Sequence, residues 1–355
     1  MHFADGAIPG EYSRYVGRKA AFIVLLAAAA ALALAVSLSL GAADLSLGSV
    51  VRALAGMAES ERTRVILWNI RLPQALASLA AGAGLALSGA AMQSILRNPL
   101  GSPFTLGISH AAAFGAALAV LLLGDGRLTA TTGGVVTLSQ PACIVGAAFL
   151  SSLAAALVIV GLARRRGASP ETMILGGVAL ASLFTAGTMF LQYLADDVQL
   201  AAMVFWTFGD TARANWVQVG VLALVAVWAA IYFTANAWNY NAVDAGDETA
   251  KSLGVRVERV RLLGMLAATL VTAVIIAFLG VIGFVGLVTP HMVRRVIGAD
   301  HRFLLPASAA AGALLLLAAD TAARLVLAPH VLPVSVLMAF LGAPVFFLLI
   351  LRRRP

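Results

Sequence analysis

DAGDETAKSLGVRVERVR, residues 244–261, sets four acids and four bases in eighteen positions of a chain that is 61% hydrophobic. A charge at the bilayer centre costs about 2.5–3.5 kcal/mol even on a lenient insertion scale, so this stretch must lie outside any membrane. Outward from it in both directions the sequence returns to apolar blocks of about 20 residues, the length that crosses a hydrocarbon core. They read as spans near 20–40, 74–96, 104–123, 141–163, 173–194, 216–233, 262–280, 282–296, 304–319 and 331–351. The eighth is short and carries Pro290. With 355 residues, only 11% of them charged, and a mean hydropathy of +0.96, the chain lacks the polar surface that a soluble domain needs. The expected fold is all-α: a polytopic membrane protein of about ten transmembrane helices. One membrane domain, 20–353, follows a cytoplasmic N-terminal segment, 1–19.

Charge placement orients the expected bundle. With the N-terminus inside, Arg52, Arg62, Arg64, Arg71, Arg127, Arg213 and Arg324 fall outside, and the other 17 of the 24 Lys and Arg fall inside. This positive-inside asymmetry favours both termini in the cytoplasm and puts 244–261 there too. It also accounts for the net charge of +8 without nucleic acid. The first apolar run is long enough to span and no small-residue cleavage site follows it, so it is not expected to be a cleaved signal. The lone cysteine, Cys143, sits in an apolar block and by itself can build neither a disulfide nor a thiolate metal site. The outer segments 41–71 and 195–215 each have room for a short surface helix.

One chemistry is excluded and two others stay as remote alternatives. The lysines are Lys19 and Lys251, preceded by Arg18 and Ala250, so no GxxxxGK[ST] phosphate loop exists and this chain is no ATPase. An intramembrane serine protease would need Ser88 with His110 or His330, but Ser88–Gly89 in an alanine-rich helix reads as packing. An ion-coupled carrier keeps a carboxylate near mid-membrane, whereas Asp320 and Arg324 read as a local i,i+4 pair at an outer helix end. The five histidines form no metal-ligand set, and no cofactor is expected on this chain. Gly280, Gly283 and Gly286 ahead of Pro290 leave two readings open, tight helix packing and a deformable helix start beside a pathway.

The charged stretch remains. Asp244 could cap a short helix, Asp247 would place negative charge on its first turn, and Asp247–Lys251 would form an i,i+4 pair. Gly254 is placed to end it. A capped, terminated helix pinned between two membrane spans suits docking to another protein better than it suits a solvated loop.

The order of segments resembles the FecCD/BtuC-type permeases of binding-protein-dependent ABC importers. The resemblance runs from about 45 to 353 in six blocks. They are IRLPQALASLAAGAGLALSGAAMQSILRNPLGSPFTLGIS (70–109), ILGGVAL (174–180), the run from the paired aspartates 196–197 to FWTFGD (205–210), GDETAKSLGV (246–255), 283–325 and 332–353. It implies a homodimer of ten-helix subunits with a substrate path bordered by the fifth and tenth helices. It also implies a binding protein outside and two cytoplasmic ATPase subunits that hold the ATP and Mg. Gly246, Asp247, Glu248, Ala250, Lys251, Leu253 and Gly254 match the family's coupling helices, and Ser169, Pro170 and Glu171 match its cytoplasmic gate. Arg71 and Arg324 match positions that dock the binding protein. A third family arginine is Gln74 here, which shifts that role toward Arg62 or Arg64. The cargo implied is an iron chelate, siderophore or haem, with cobalamin or an oxyanion such as molybdate as the alternative.

Overall fold

The computed structural model describes residues 10–41, 45–123, 129–130, 136–137, 141–165, 169–328 and 330–351. Most of the expected segment 1–19 is helical from Gly10 onward, while 1–9, together with Arg127, Arg166 and the arginines 352–354, lie outside the described residues.

The ten expected spans are all helices. They are α1 (Gly10–Ser39), α4 (Leu72–Ile95), α5 (Ile108–Leu123), α6 (Pro141–Arg165), α7 (Pro170–Leu194), α9 (Trp216–Ala235), α12 (Val257–Leu279), α13 (Val285–Ile297), α14 (His301–Val326) and α15 (Val334–Leu351). Short helices fill the connections: α2 (Leu47–Leu54), α3 (Glu61–Val65), α8 (Asp197–Thr207), α10 (Ala237–Asp244) and α11 (Asp247–Ser252). Among the described residues, seven helical stretches are long and apolar enough to cross a membrane, and α5 and α15 are shorter apolar helices. The thirteen residues of α13 rise only about 20 Å. Before it, 280–284 is non-helical, with Phe284 left-handed at φ 65°. Such backbone is tolerated at membrane depth only where protein satisfies it. Here the amide of Asp210 donates to Leu279 at 2.8 Å, and Val281 pairs with Phe208 as an isolated parallel bridge.

Helix α4 is the hub, packed against α9, α12, α13 and α14. Its small-residue sequence, AAGAGLALSGAA, is what permits this. A side chain at Gly82 would overlap the carbonyl oxygen of Gly312 on α14, and one at Gly89 would overlap that of Gly286 on α13. In lipid, close backbone approach replaces the hydrophobic drive that brings helices together in water. Gly286 takes part in this close packing, and so does Gly280, whose Cβ would lie 2.8 Å from the carbonyl of Trp206; at Gly283, which lines a cavity with Phe284, nothing comes nearer than 3.9 Å. Helices α1 and α7 lie at the periphery, each only 11% buried over its most apolar window.

Candidate functional site

The charged stretch folds as two short helices against one end of the bundle. Gly246 starts α11 at φ +119°, and no side chain caps that end. At the other end a Schellman motif closes the helix: the amide of Gly254 (φ +81°) donates to Lys251 at 2.9 Å and that of Val255 to Ala250 at 2.9 Å. Both glycines hold backbone angles that other residues adopt only with strain. Gly254 stops the helix as expected, but Asp244 does not cap it; Asp244 is the last residue of α10 and points into the bundle. Ala250 is fully buried in a small apolar cluster with Ala242, Val243 and Val257.

Asp247 does not pair with Lys251 either. It accepts both terminal nitrogens of Arg261, at 2.7 and 2.8 Å, a planar fork that a lysine cannot reproduce. The Arg261 side chain is 3% exposed, and its Nε donates to the carbonyl of Ile95 at 3.1 Å, so one guanidinium ties α11, α12 and α4 together. Arg97 approaches Asp247 at 3.7 Å. Lys251 pairs instead with Glu248 at 2.9 Å, on the open face.

A second set of bonds holds α10. The Asp244 carboxylate accepts Ser94 Oγ at 2.6 Å and His301 Nε2 at 2.9 Å. Partial burial pushes the carboxyl up, but these two donors and the Arg294 charge outweigh it and leave Asp244 below the ordinary carboxylate range. Its stabilising contribution is therefore complete above that range and is lost as pH falls through the depressed value. Next to it, Asn241 donates to Asp300 at 3.0 Å and accepts the amide of His301 at 2.9 Å. Asp300 also receives the Arg302 guanidinium, and these bonds overcome partial burial to bring its carboxyl down to about 2. Arg261 stood at the edge of the charged stretch and could have been suspected. Ser94, His301 and Asn241 carried no local signal, since their partners are 57 to 150 residues away.

At the expected gate, Ser169 caps α7: its Oγ accepts the amide of Thr172 at 3.2 Å, Pro170 opens the first turn, and Glu171 adds negative charge there. Residues 166–168, just ahead, lie outside the described residues. Helices α7 and α15 carry apolar residues into the open, among them Leu175, Tyr193, Phe340 and Phe347. Two cavities, of about 210 and about 460 Å³, meet at Phe104 and Phe284, and the larger is lined by α15.

At the opposite end the four expected docking arginines divide. Arg62 and Arg64 are exposed on α3, with Arg64 3.5 Å from Glu61. Arg71 corrects the expectation of an open position: it is 4% exposed and its Nη1 donates to the carbonyls of Leu38 and Ser39, at 2.7 and 2.9 Å. Arg324, with 10% of its side chain exposed, stands 3.3 Å from Asp320 and bonds Ser37 Oγ at 2.6 Å. Both use the end of α1, whose last carbonyls lack helical partners, as an acceptor. Gln74 is buried as well and donates to Asp320 at 2.9 Å.

A ten-helix bundle with a bonded helix pair between α9 and α12 is the architecture that the six sequence blocks imply. Residues 27–352 match the model of the FecCD transport family. The chain belongs to that family. Relatives are similar over most of this FecCD-type chain. An ABC transporter permease protein of Methanocaldococcus jannaschii is 52% identical over 97% of this chain and 98% of its own. The hemin transport system permease of Yersinia pestis is 38% identical over 89% and 92%. The cobalamin import permease of Halobacterium salinarum is 39% identical over 83% and 75%. Among solved structures, an inward-facing ABC transporter described as metal-chelate type superimposes with a TM-score of 0.80 at 30% identity, covering 93% of this chain and 98% of that one. This FecCD-family chain is thus a multi-pass membrane permease of the ABC-importer type.

Proposed function

We propose that this chain is the membrane-spanning subunit of an ATP-driven importer of a metal chelate, and of an iron chelate (siderophore or haem) in particular. It would work as a homodimer, with two cytoplasmic ATPase subunits at α11 and a substrate-binding protein at the far end. ATP and Mg belong to the ATPase subunits, and both termini face the cytoplasm with them. One membrane domain, 20–353, carries the whole path. The carrying observation is Leu253: it is 69% exposed at the end of α11, outside the membrane, on a helix whose other face is fixed by Arg261 and Ala250. An apolar tip on a rigid mount at that end suits insertion into a partner's cleft. Gly246, Asp247, Ala250 and Gly254 shape the mount, and Glu248, Lys251 and Leu253 face the ATPase.

The open faces support this cargo class. Neither α7 nor α15 carries a lysine or arginine, so a bare oxyanion would meet no counter-charge there, whereas a bulky chelate with an apolar rim slides past. Haem and cobalamin, named in the relatives, are both metal chelates. Cobalamin remains the second reading for that reason. Ser169, Pro170 and Glu171 would close the cytoplasmic end of the path.

Three sets of measurements test the reading. Leu253→Asp in reconstituted vesicles should leave the permease folded, release the ATPase subunit and lower ATP-dependent uptake at least tenfold; undiminished uptake sinks the coupling assignment. Uptake of labelled haem, ferric siderophore and cobalamin in the same vesicles ranks the cargoes, and uptake driven by a proton gradient without ATP would reverse the importer reading. Arg62→Glu with Arg64→Glu should slow binding-protein association about tenfold at low salt and flatten its ionic-strength dependence. An unchanged salt slope would remove α3 from that interface.

A further inference from the structure

From the cations on the first turns of α1, we infer a built site for the phosphate headgroup of an anionic lipid. A groove of about 600 Å³ runs between α1 and the end of α13, lined by Arg14, Arg18, Lys19, Tyr15, Glu11 and Ile297. Three cations face one carboxylate there. Lys19 is 6% exposed, and its ammonium bonds the Tyr15 hydroxyl while lying 4.0 Å from that ring's centroid and 5.0 Å from that of Phe303. Among the described residues, none of these three cations forms a salt bridge.

A buried ammonium without a carboxylate is costly, and buried cations are ordinarily paired. The carbonyl end of α13 relieves part of that cost, since Nζ lies 3.9 Å from where a side chain on Gly298 would begin. Among the described residues, it leaves Arg14 and Arg18 with Glu11 as the one carboxylate in the groove. Level decides what matches them. The apolar run of α1 begins at Ala20, directly after Lys19, so the groove sits where hydrocarbon gives way to headgroups. Tyr15 and Phe22, amphipathic and apolar in turn, suit that boundary, and Val296, 65% exposed on the groove's rim, suits the start of an acyl chain. Basic clefts between membrane helices bind anionic headgroups through this combination. The site lies at the same end as α11: Arg302 contacts Tyr12 at 3.5 Å and Asp300, and Asp300 in turn bonds Asn241 of α10. The inference holds whatever the cargo is.

Native mass spectrometry and thermal melting of the full chain in neutral detergent test it, with phosphatidylglycerol, phosphatidylcholine of the same acyl chains, and inorganic phosphate as probes. Phosphatidylglycerol should be retained and raise the melting midpoint, while phosphatidylcholine does neither and equimolar phosphate does not displace it. Arg14→Gln with Arg18→Gln, both on exposed positions, should weaken retention about twenty-five-fold, at about fivefold per cation near a membrane surface. Arg164→Gln with Arg165→Gln, at the end of α6, should weaken it less than threefold. Equal retention of the two lipids, equal losses in the two double variants, or displacement by phosphate would each overturn the lipid site; the last would give the groove to free phosphate.

Discussion

Gly89→Ala is expected to leave no monodisperse protein in detergent extracts, although it adds a single methyl group. That methyl would occupy the space of the Gly286 carbonyl, carbon included, and what it meets is backbone rather than a movable side chain. Overpacking in a core ordinarily costs about 1–3 kcal/mol because side chains rotate away. Here α4 and α13 must separate, and the separation spreads: Gly286 itself stands with its Cβ position 2.6 Å from the Leu85 carbonyl, one turn earlier on α4. The loss should therefore exceed about 3 kcal/mol, a large share of the about 5–15 kcal/mol that holds a typical protein folded. Gly82→Ala should behave alike against Gly312. The contrast is Gly146→Ala on α6, where the added methyl meets nothing within 4 Å and a helix interior gains up to about 1 kcal/mol from alanine. Size-exclusion profiles of the three variants decide the matter: a well-folded Gly89→Ala chain would mean that α4 and α13 do not approach as described.

That crossing shows how legibility was distributed along this chain. The spans were readable because lipid enforces a simple rule, that about 20 apolar residues must satisfy their own backbone, and all ten expected blocks are helices. Small-residue runs announced close packing without naming the partner helix. The Gly82–Gly312 contact joins residues 230 positions apart, which no window of sequence reveals. Within the charged stretch, Gly254 was legible because a left-handed helix stop is a local requirement. The pairing of Asp247 was not. Spacing favoured Lys251, yet a lysine on an open turn keeps its hydration, whereas a guanidinium buried beside Ile95 has the carboxylate as its main relief. Arg71 misled for a related reason. The family match set it at a docking position open to the outside, but the carbonyls at the end of α1 offered acceptors inside the protein.

Asp247→Ala separates two roles for the same residue. If Asp247 chiefly fixes α11 to the bundle, its loss strands the Arg261 charge, 3% exposed, with the Ile95 carbonyl as its remaining described acceptor. Stranding one half of a fully buried pair costs about 3–5 kcal/mol. Asp247 keeps 32% of its side chain exposed, so water compensates in part and about 2–3 kcal/mol is expected. Adding Arg261→Met should recover most of it, because an apolar chain of similar length fills the site without needing an anion. Glu248→Ala, from a side chain 89% exposed, should stay within about 0.5 kcal/mol. Melting midpoints in detergent read all three. Asp247→Lys is the harsher form, since it puts a third cation beside Arg261 and Arg97 and should unseat α11 rather than merely neutralise it. Suppose instead that Asp247→Ala melts with Glu248→Ala yet transports nothing. Asp247 would then act on the ATPase directly, and the mount described for α11 would not depend on Arg261. A lowered midpoint rescued by Arg261→Met, with uptake returning alongside it, ties the two roles together: the ion pair would transmit the partner's motion because it is what makes α11 rigid with α12 and α4.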